Sequence, residues 1–291
     1  MKVATFRIGG ERRVGMVDPA RKMIRPFDLP LEEAERGVVA LIERGRALPA
    51  TLSPIALERV RIEAPIPRPT RNIFCVGKNY HEHAQEFASS GFDSSAVNGA
   101  VPKHPIIFSK VPETVIANGE AILIDRSVSE AIDYEAELAV IIGRPGRGIR
   151  REDAFQHAWG YTIVNDVTAR DLQGRHSQWL LGKSQDTFCP MGPWAVTKDE
   201  IDVENTAIRC FVNGDIRQSS NTKLLIFDIP MLIASISAGV TLKAGDLIAT
   251  GTPAGVGIGF DPPRYLRNGD VVRVEIDGIG ALENRVEETR P

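Results

Sequence analysis

A chain of 291 residues, 43% hydrophobic and 25% charged, has the composition of an ordinary folded protein, long enough for one large domain or two smaller ones. Its formal net charge of −3, with no long run of either sign, excludes an extended nucleic-acid or membrane-headgroup surface, and no apolar stretch approaches the roughly 20 residues of a membrane helix. Three scattered cysteines, Cys75, Cys189 and Cys210, are too few for a disulfide framework or a thiolate metal site, and with no signal-like apolar region at the start a reduced, cytoplasmic setting is expected.

Residues 1–66 read as a small α+β domain. VATFRIG, RVGMVD and MIRPF are short strands separated by Gly-Gly and Asp-Pro turn signals. Leu31, Ala34, Val38, Leu41 and Ile42 recur at helical spacing and predict an amphipathic helix over 31–44. The proline-rich stretch EAPIPRPTRN is extended and places a boundary, so that residues 67–291 form the second, larger domain.

That domain begins with a strand, NIFCVG, followed by the polar segment KNYHEHAQEFASSGFDSSAVNGAVPKHP. Its first half predicts a short helix. Its second half is rich in Gly, Ser and Asn without apolar period, as lids are. On the helix, His83 and Glu86 stand three apart and share a face, so the carboxylate can orient the imidazole as a general base. An exposed polar turn is the plainer alternative. The zincin pattern is absent, because Gln85 stands where a second histidine is required.

The run DYEAELAVIIG predicts a buried strand carrying Glu135 and Glu137 on one face. Two adjacent carboxylates in an apolar setting lose hydration and repel each other, so a cation between them is expected. A solvated strand face paired with lysine or arginine is the alternative. A third carboxylate, Asp166, ends the next apolar strand, YTIVND. Oxygen donors without cysteine favour Mg²⁺ or Mn²⁺, with Ca²⁺ less favoured.

Lys183, in LLGKSQD, is a candidate oxyanion stabiliser. A phosphate-loop reading of GKS fails because Ser177 stands where a glycine is needed. Asn213-Gly214 and Asp277-Gly278 predict hairpins. Asp228 predicts the N-cap of a helix that Gly239 closes. The loop TGTPAGVGIGF (250–260) can bring backbone amides up to a carboxylate or phosphate. The whole is expected to be β-rich, with a few helices packed outside.

Taken in order, VGKNYHEHAQE, IIFSKVPETV, DYEAELAVIIG, GYTIVNDVTARDLQ, GKSQDTFCPMGPW, DIRQSSNT and IATGTPAGVG resemble the fumarylacetoacetate hydrolase family over roughly residues 70–288. The resemblance implies an α+β, β-rich fold with a mixed β-roll/β-sandwich catalytic domain, a homodimer, and Mg²⁺ or Mn²⁺ on Glu135, Glu137 and Asp166. It also implies that His83 and Glu86 activate water on a lid, that Lys183 is the active-site lysine, and that Gln173 and Thr252 contact substrate. The expected activity is hydrolysis of a C–C bond in an acylpyruvate-like 1,3-diketo acid. The alternatives are a keto-acid lyase or isomerase, such as an oxaloacetate decarboxylase-like enzyme, and a non-catalytic ligand-binding protein. All of them take a small keto acid as partner, with no nucleic acid and no membrane.

Overall fold

Every residue of the strand Ala136–Ile142 is buried, and its side chains alternate between two apolar cores. Leu138, Val140 and Ile142 enter one core, and Ala139 and Ile141 the other. A strand covered on both faces needs no polar side, which is why the run reads as continuously hydrophobic after its glutamates. The structure is a computed structural model that describes residues 1–45, 47–89 and 101–289.

Ala136–Ile142 lies inside a 12-stranded mixed sheet. It pairs antiparallel with Ala158–Asn165 on one side and Leu247–Ala249 on the other. Beyond Leu247–Ala249 come Ile73–Gly77, in parallel pairing, and Ile106–Lys110. In the other direction Ala158–Asn165 pairs with Cys189–Thr197, which pairs with Lys2–Ile8 through Lys2↔Val196 and Val3↔Ala195. The N-terminal strands Lys2–Ile8, Glu11–Asp18 and Met23–Pro26 thus extend the same sheet. A second sheet of five strands holds Ala207–Val212, Asp215–Asn221, Val271–Ile276, Gly280–Glu288 and Ile122–Ile124. The apolar residues between the two sheets form the larger core. The architecture is the expected β-rich α+β fold.

Local signals explain most of the connections. Asn213 and Gly214 take left-handed φ of 53° and 84°, joining Ala207–Val212 to Asp215–Asn221 through a two-residue turn. The Asp228 side chain accepts from the Met231 N–H at 2.9 Å and caps the helix Ile229–Ser237. The helix expected over 31–44 differs: it is two short helices, Leu31–Ala34 and Val39–Arg44. The break is at Gly37, whose φ of 62° leaves the helical region. A Cβ there would lie 2.3 Å from the Pro65 carbonyl oxygen. Docking of the proline-rich stretch against this turn overrides the apolar periodicity.

All three cysteines are buried. Burial pushes the Cys75 thiol well above its usual range and Cys189 up to about 12, so neither offers thiolate at neutral pH. Titration of the native protein with a disulfide reagent should therefore detect no thiol, against three in denaturant. A rapidly reacting native thiol would contradict this packing. No helix among the described residues is long and apolar enough to cross a membrane.

Candidate active site

Glu135, Glu137 and Asp166 converge where two neighbouring strands begin and end. Ala136 is registered opposite Asn165 and Glu137 opposite Val164. The Asp166 N–H donates to the Glu135 carbonyl at 2.9 Å, and the Glu135 N–H donates to the Asn165 side chain at 3.0 Å. This pairing sets the three carboxylates side by side, with one oxygen of each within 4.8 Å of the others. They are 4%, 1% and 0% exposed, so the solvated-face alternative is excluded.

Three buried cations answer this charge. Lys183 Nζ donates to Glu135 Oε2 and Asp166 Oδ2, both at 2.8 Å. Lys110 Nζ donates to Asp166 Oδ1 at 2.7 Å, to the Val167 carbonyl at 3.0 Å and to the Lys183 carbonyl. Arg170 pairs through Nη1 with Glu135 Oε1 at 2.7 Å and through Nε with Asp133 Oδ2 at 2.8 Å. Asp133, Glu135 and Asp166 are thus paired with Lys110, Arg170 and Lys183.

Glu137 stands outside these pairs. Its carboxylate accepts from the Gly251 N–H at 2.8 Å, but among the described residues it makes no ion pair. Burial, together with Asp166 and Glu135, raises its pKa well above the usual carboxylate range, against the weaker pull of Lys183 and Gly251. Glu135 goes the opposite way. Burial pushes it up, but Lys183, Arg170 and His83 outweigh burial and hold it at about 2. Three buried carboxylate donors, one of them uncompensated, are a donor set that fits a hard divalent cation.

The helix His81–Ser89 brings His83 to this cluster. His83 is 5% exposed, and its Nδ1 lies 3.2 Å from Glu86 Oε2. A neutral ring that donates from Nδ1 to Glu86 leaves Nε2 as the basic nitrogen. Glu86 is itself held by the Gly255 N–H at 3.0 Å. The second half of the expected lid, 90–100, lies outside the described residues.

His83, Glu135, Glu137, Gln173, Lys183 and Thr252 all line one cavity, together with Lys78 and Arg170. It encloses about 270 Å³, solvent at its mouth included. Asp166 is fully buried and does not line it. Gln173 accepts from Arg170 Nη1 at 3.0 Å, and Thr252 Oγ1 accepts from Gln218 at 2.8 Å. Arg170 is 1% exposed, and among the described residues its Nη2 has no hydrogen-bond partner. A buried guanidinium with an unused donor on a cavity wall is arranged to meet an anion.

The glycine-rich loop does bring its amides to carboxylates, and they are the protein's own. Gly251 holds Glu137, Gly255 holds Glu86, and the N–H groups of Gly257 and Ile258 hold Asp133 at 2.6 and 3.0 Å. One loop therefore ties the carboxylate cluster to the imidazole pair. Lys110, Asp133 and Arg170 were not expected from sequence. The available signal was a charged residue closing an apolar run, as in IIFSK and AIDYE, which marks a buried charge in need of a partner.

The family model "Fumarylacetoacetate (FAA) hydrolase C-terminal" matches residues 72–287. The chain is 50% identical over 232 residues to oxaloacetate tautomerase YisK of Bacillus subtilis (strain 168), spanning 79% of this chain and 74% of that relative. It superposes on the fumarylacetoacetate hydrolase EaFAH from psychrophilic Exiguobacterium antarcticum with a TM-score of 0.83 and 39% identity, over 99% of this chain and 100% of that one. It also superposes on maleylpyruvate hydrolase from Sphingobium sp. SYK-6, solved in complex with manganese (II) ion and pyruvate. That match has a TM-score of 0.77 and 30% identity over 100% of both chains. Sequence, fold and carboxylate cluster agree, and the chain belongs to the fumarylacetoacetate hydrolase family.

Proposed function

We propose that this chain is a divalent-metal-dependent keto-acid tautomerase that moves a proton between carbon and oxygen in oxaloacetate or a 2-oxo acid of the same class. The observation that carries this reading is His83, backed by Glu86 at 3.2 Å, on the wall of the cavity that also holds Glu135 and Glu137. Glu135, Glu137 and Asp166 would hold Mg²⁺ or Mn²⁺. When bound, such a cation draws electron density from the 2-oxo acid and lowers the acidity barrier at C3.

The chain's own residues supply the rest. The unprotonated Nε2 of His83 takes the proton from C3, Glu86 steadies the imidazolium that forms, and the electron pair moves through C2=C3 onto the 2-oxygen. Arg170 Nη2 and Lys183 stabilise the charge arriving there, with Gln173 and Thr252 bordering the substrate. Protonation of that oxygen gives the enol, and the reverse sequence restores the ketone. The name borne by the Bacillus subtilis relative supports this choice over C–C hydrolysis. Residues 1–66, whose strands continue the site's sheet, are proposed as a separate bracing unit.

Hydrolysis of an acylpyruvate is the second reading, favoured by the same imidazole pair acting on water and by the hydrolase names of the two structures above. The test follows the enol–keto interconversion of oxaloacetate by ultraviolet absorbance with Mg²⁺ or Mn²⁺, beside product analysis on acylpyruvates, with chelator controls. Acceleration of the interconversion, lost on chelation, is expected. Cleavage of acylpyruvates with no effect on oxaloacetate would replace this reading by the second.

Asp133 has a measurable part in this arrangement. Its carboxylate accepts from Arg170, Tyr134, Gly257 and Ile258, and so aims Arg170 and fixes the glycine loop. Asp133→Asn keeps the size but removes the charge facing Arg170, and turnover should fall by about 10–100-fold, as for other groups that orient a site. Steady-state rates beside a thermal melt check this. Unchanged turnover in a folded variant would remove Asp133 from the positioning network.

A further inference from the structure

Among the described residues, Lys183 is the cation that joins two of the three clustered carboxylates. Its Nζ lies 2.8 Å from both Glu135 Oε2 and Asp166 Oδ2. The other oxygen of each acid is taken as well. Arg170 Nη1 holds Glu135 Oε1 at 2.7 Å, and Lys110 Nζ holds Asp166 Oδ1 at 2.7 Å. All four oxygens of this pair therefore already face a nitrogen cation. A divalent cation draws carboxylate oxygens to about 2.1 Å. Seated on these oxygens, it is repelled by the ammonium that shares them, and burial strengthens the repulsion. The strain is relieved when one nitrogen cation moves away.

The surroundings single out Lys183. Lys110 is 0% exposed, stands apart from the cavity wall, and spends its other contacts on the Val167 and Lys183 carbonyls. Arg170 is tied on its far side to Asp133, which the glycine loop holds in turn. The Lys183 ammonium, by contrast, lines the cavity and lies 4.9 Å from the centroid of Phe108 on the same wall. The face of that ring tolerates a cation moving along the wall. The backbone beneath is not free to follow. Lys110 Nζ donates to the Lys183 carbonyl, and a Cβ on Gly182 would lie 2.7 Å from the Gln173 nitrogen and 2.8 Å from the Ala169 carbonyl oxygen. Lys183 can thus turn its flexible side chain about a backbone that stays in place.

We propose that Lys183 and the divalent cation exchange places. The ammonium is the counter-charge of Glu135 and Asp166 until the cation takes those carboxylates, and Lys183 then turns into the cavity, where it meets the charge developing on the substrate. This rests on the cation site of the reading above and is independent of the reaction assigned there. The exchange keeps the buried carboxylates paired at every stage, because leaving them without a cation is too costly. It also sets an order, since the lysine is delivered to the substrate only once the cation is in place.

Crystal structures of the wild-type protein grown without and with Mg²⁺ read the exchange directly. Calorimetry of Mg²⁺ binding to wild type and Lys183→Met reads the competition, with thermal melts as the control for folding. With Mg²⁺ on the cluster, Nζ of Lys183 should leave Glu135 Oε2 and Asp166 Oδ2 for the cavity. Lys183→Met should bind Mg²⁺ tighter than wild type by roughly tenfold or more, as expected when two charge-assisted contacts no longer compete. The proposal is overturned if Nζ keeps both contacts while Mg²⁺ is bound, or if a folded Lys183→Met binds Mg²⁺ no tighter. Should that variant fail to fold, the two wild-type structures decide alone. A cluster that takes up neither Mg²⁺ nor Mn²⁺ overturns the cation reading and this exchange together. The tautomerase reading fails separately, if the exchange occurs but the enol–keto interconversion of oxaloacetate is not accelerated.

Discussion

Glu137→Gln should abolish divalent-metal binding while leaving the metal-free protein at least as stable as wild type. The Glu137 carboxyl is buried, flanked by two other carboxylates, and raised well above its usual pKa. In the metal-free protein it resists ionisation, and a glutamine amide reproduces its size and its acceptance from Gly251. What glutamine lacks is the negative charge that a divalent cation requires. For wild type, metal at a hundred times its Kd stabilises the fold by about 2.7 kcal/mol. That corresponds to a rise in Tm of roughly 5–10 °C for a chain of this size. The variant should show no such rise. A metal-dependent shift of wild-type size in Glu137→Gln would remove this residue from the donor set.

The same carboxyl gives the pH dependence its sign. Binding a cation has to displace the proton that the raised pKa favours, so metal affinity should increase with pH and fall as the solution is acidified. Calorimetry in two buffers of different ionisation enthalpy should report proton release on binding. Equal heats in both buffers would contradict it.

The second large effect is expected at His83. Replacement by alanine should lower kcat by about 10²–10⁴, the usual contribution of a positioned general base, and leave metal affinity nearly unchanged. The two readouts separate this variant from Glu137→Gln, which should lose both together. Glu86→Gln should cost less, since the amide can still accept from Nδ1–H while losing the charge that steadies the imidazolium. Turnover that survives in His83→Ala would point to a metal-enolate reaction that needs no base from the protein, such as decarboxylation.

The residues that were readable in the sequence share one property: their relation is local. Glu135 and Glu137 stand two apart on a strand, so their common face follows from the period of the backbone. His83 and Glu86 stand three apart on a helix, and the 3.2 Å contact follows from that period in the same way. The Asp228 cap and the Asn213-Gly214 turn are of this kind as well. Asp166 was reached through ordered motifs across the whole region, since no spacing relates it to Glu135.

What escaped the sequence depends on contacts between distant segments. Lys110 reaches Asp166 across 56 positions, and Glu137 is held by Gly251 across 114. Lys183, the candidate oxyanion stabiliser, lines the cavity and also bridges Glu135 and Asp166, contacts that no spacing in the sequence announces. Whether a buried lysine meets a ligand or a carboxylate of its own chain is a question of which segments pack together. The break at Gly37 has the same origin, because the apolar spacing of 31–44 carries no record of Pro65 docking against it.

Backbone periodicity and turn chemistry act over a few residues, so the β-rich fold, the paired glutamates and the imidazole–carboxylate couple could be read directly from the order of residues. The charge balance of the site could not. It is the sum of long-range pairings that burial makes obligatory. Among the described residues, those pairings leave Glu137 without an ion pair and Nη2 of Arg170 without a hydrogen-bond partner.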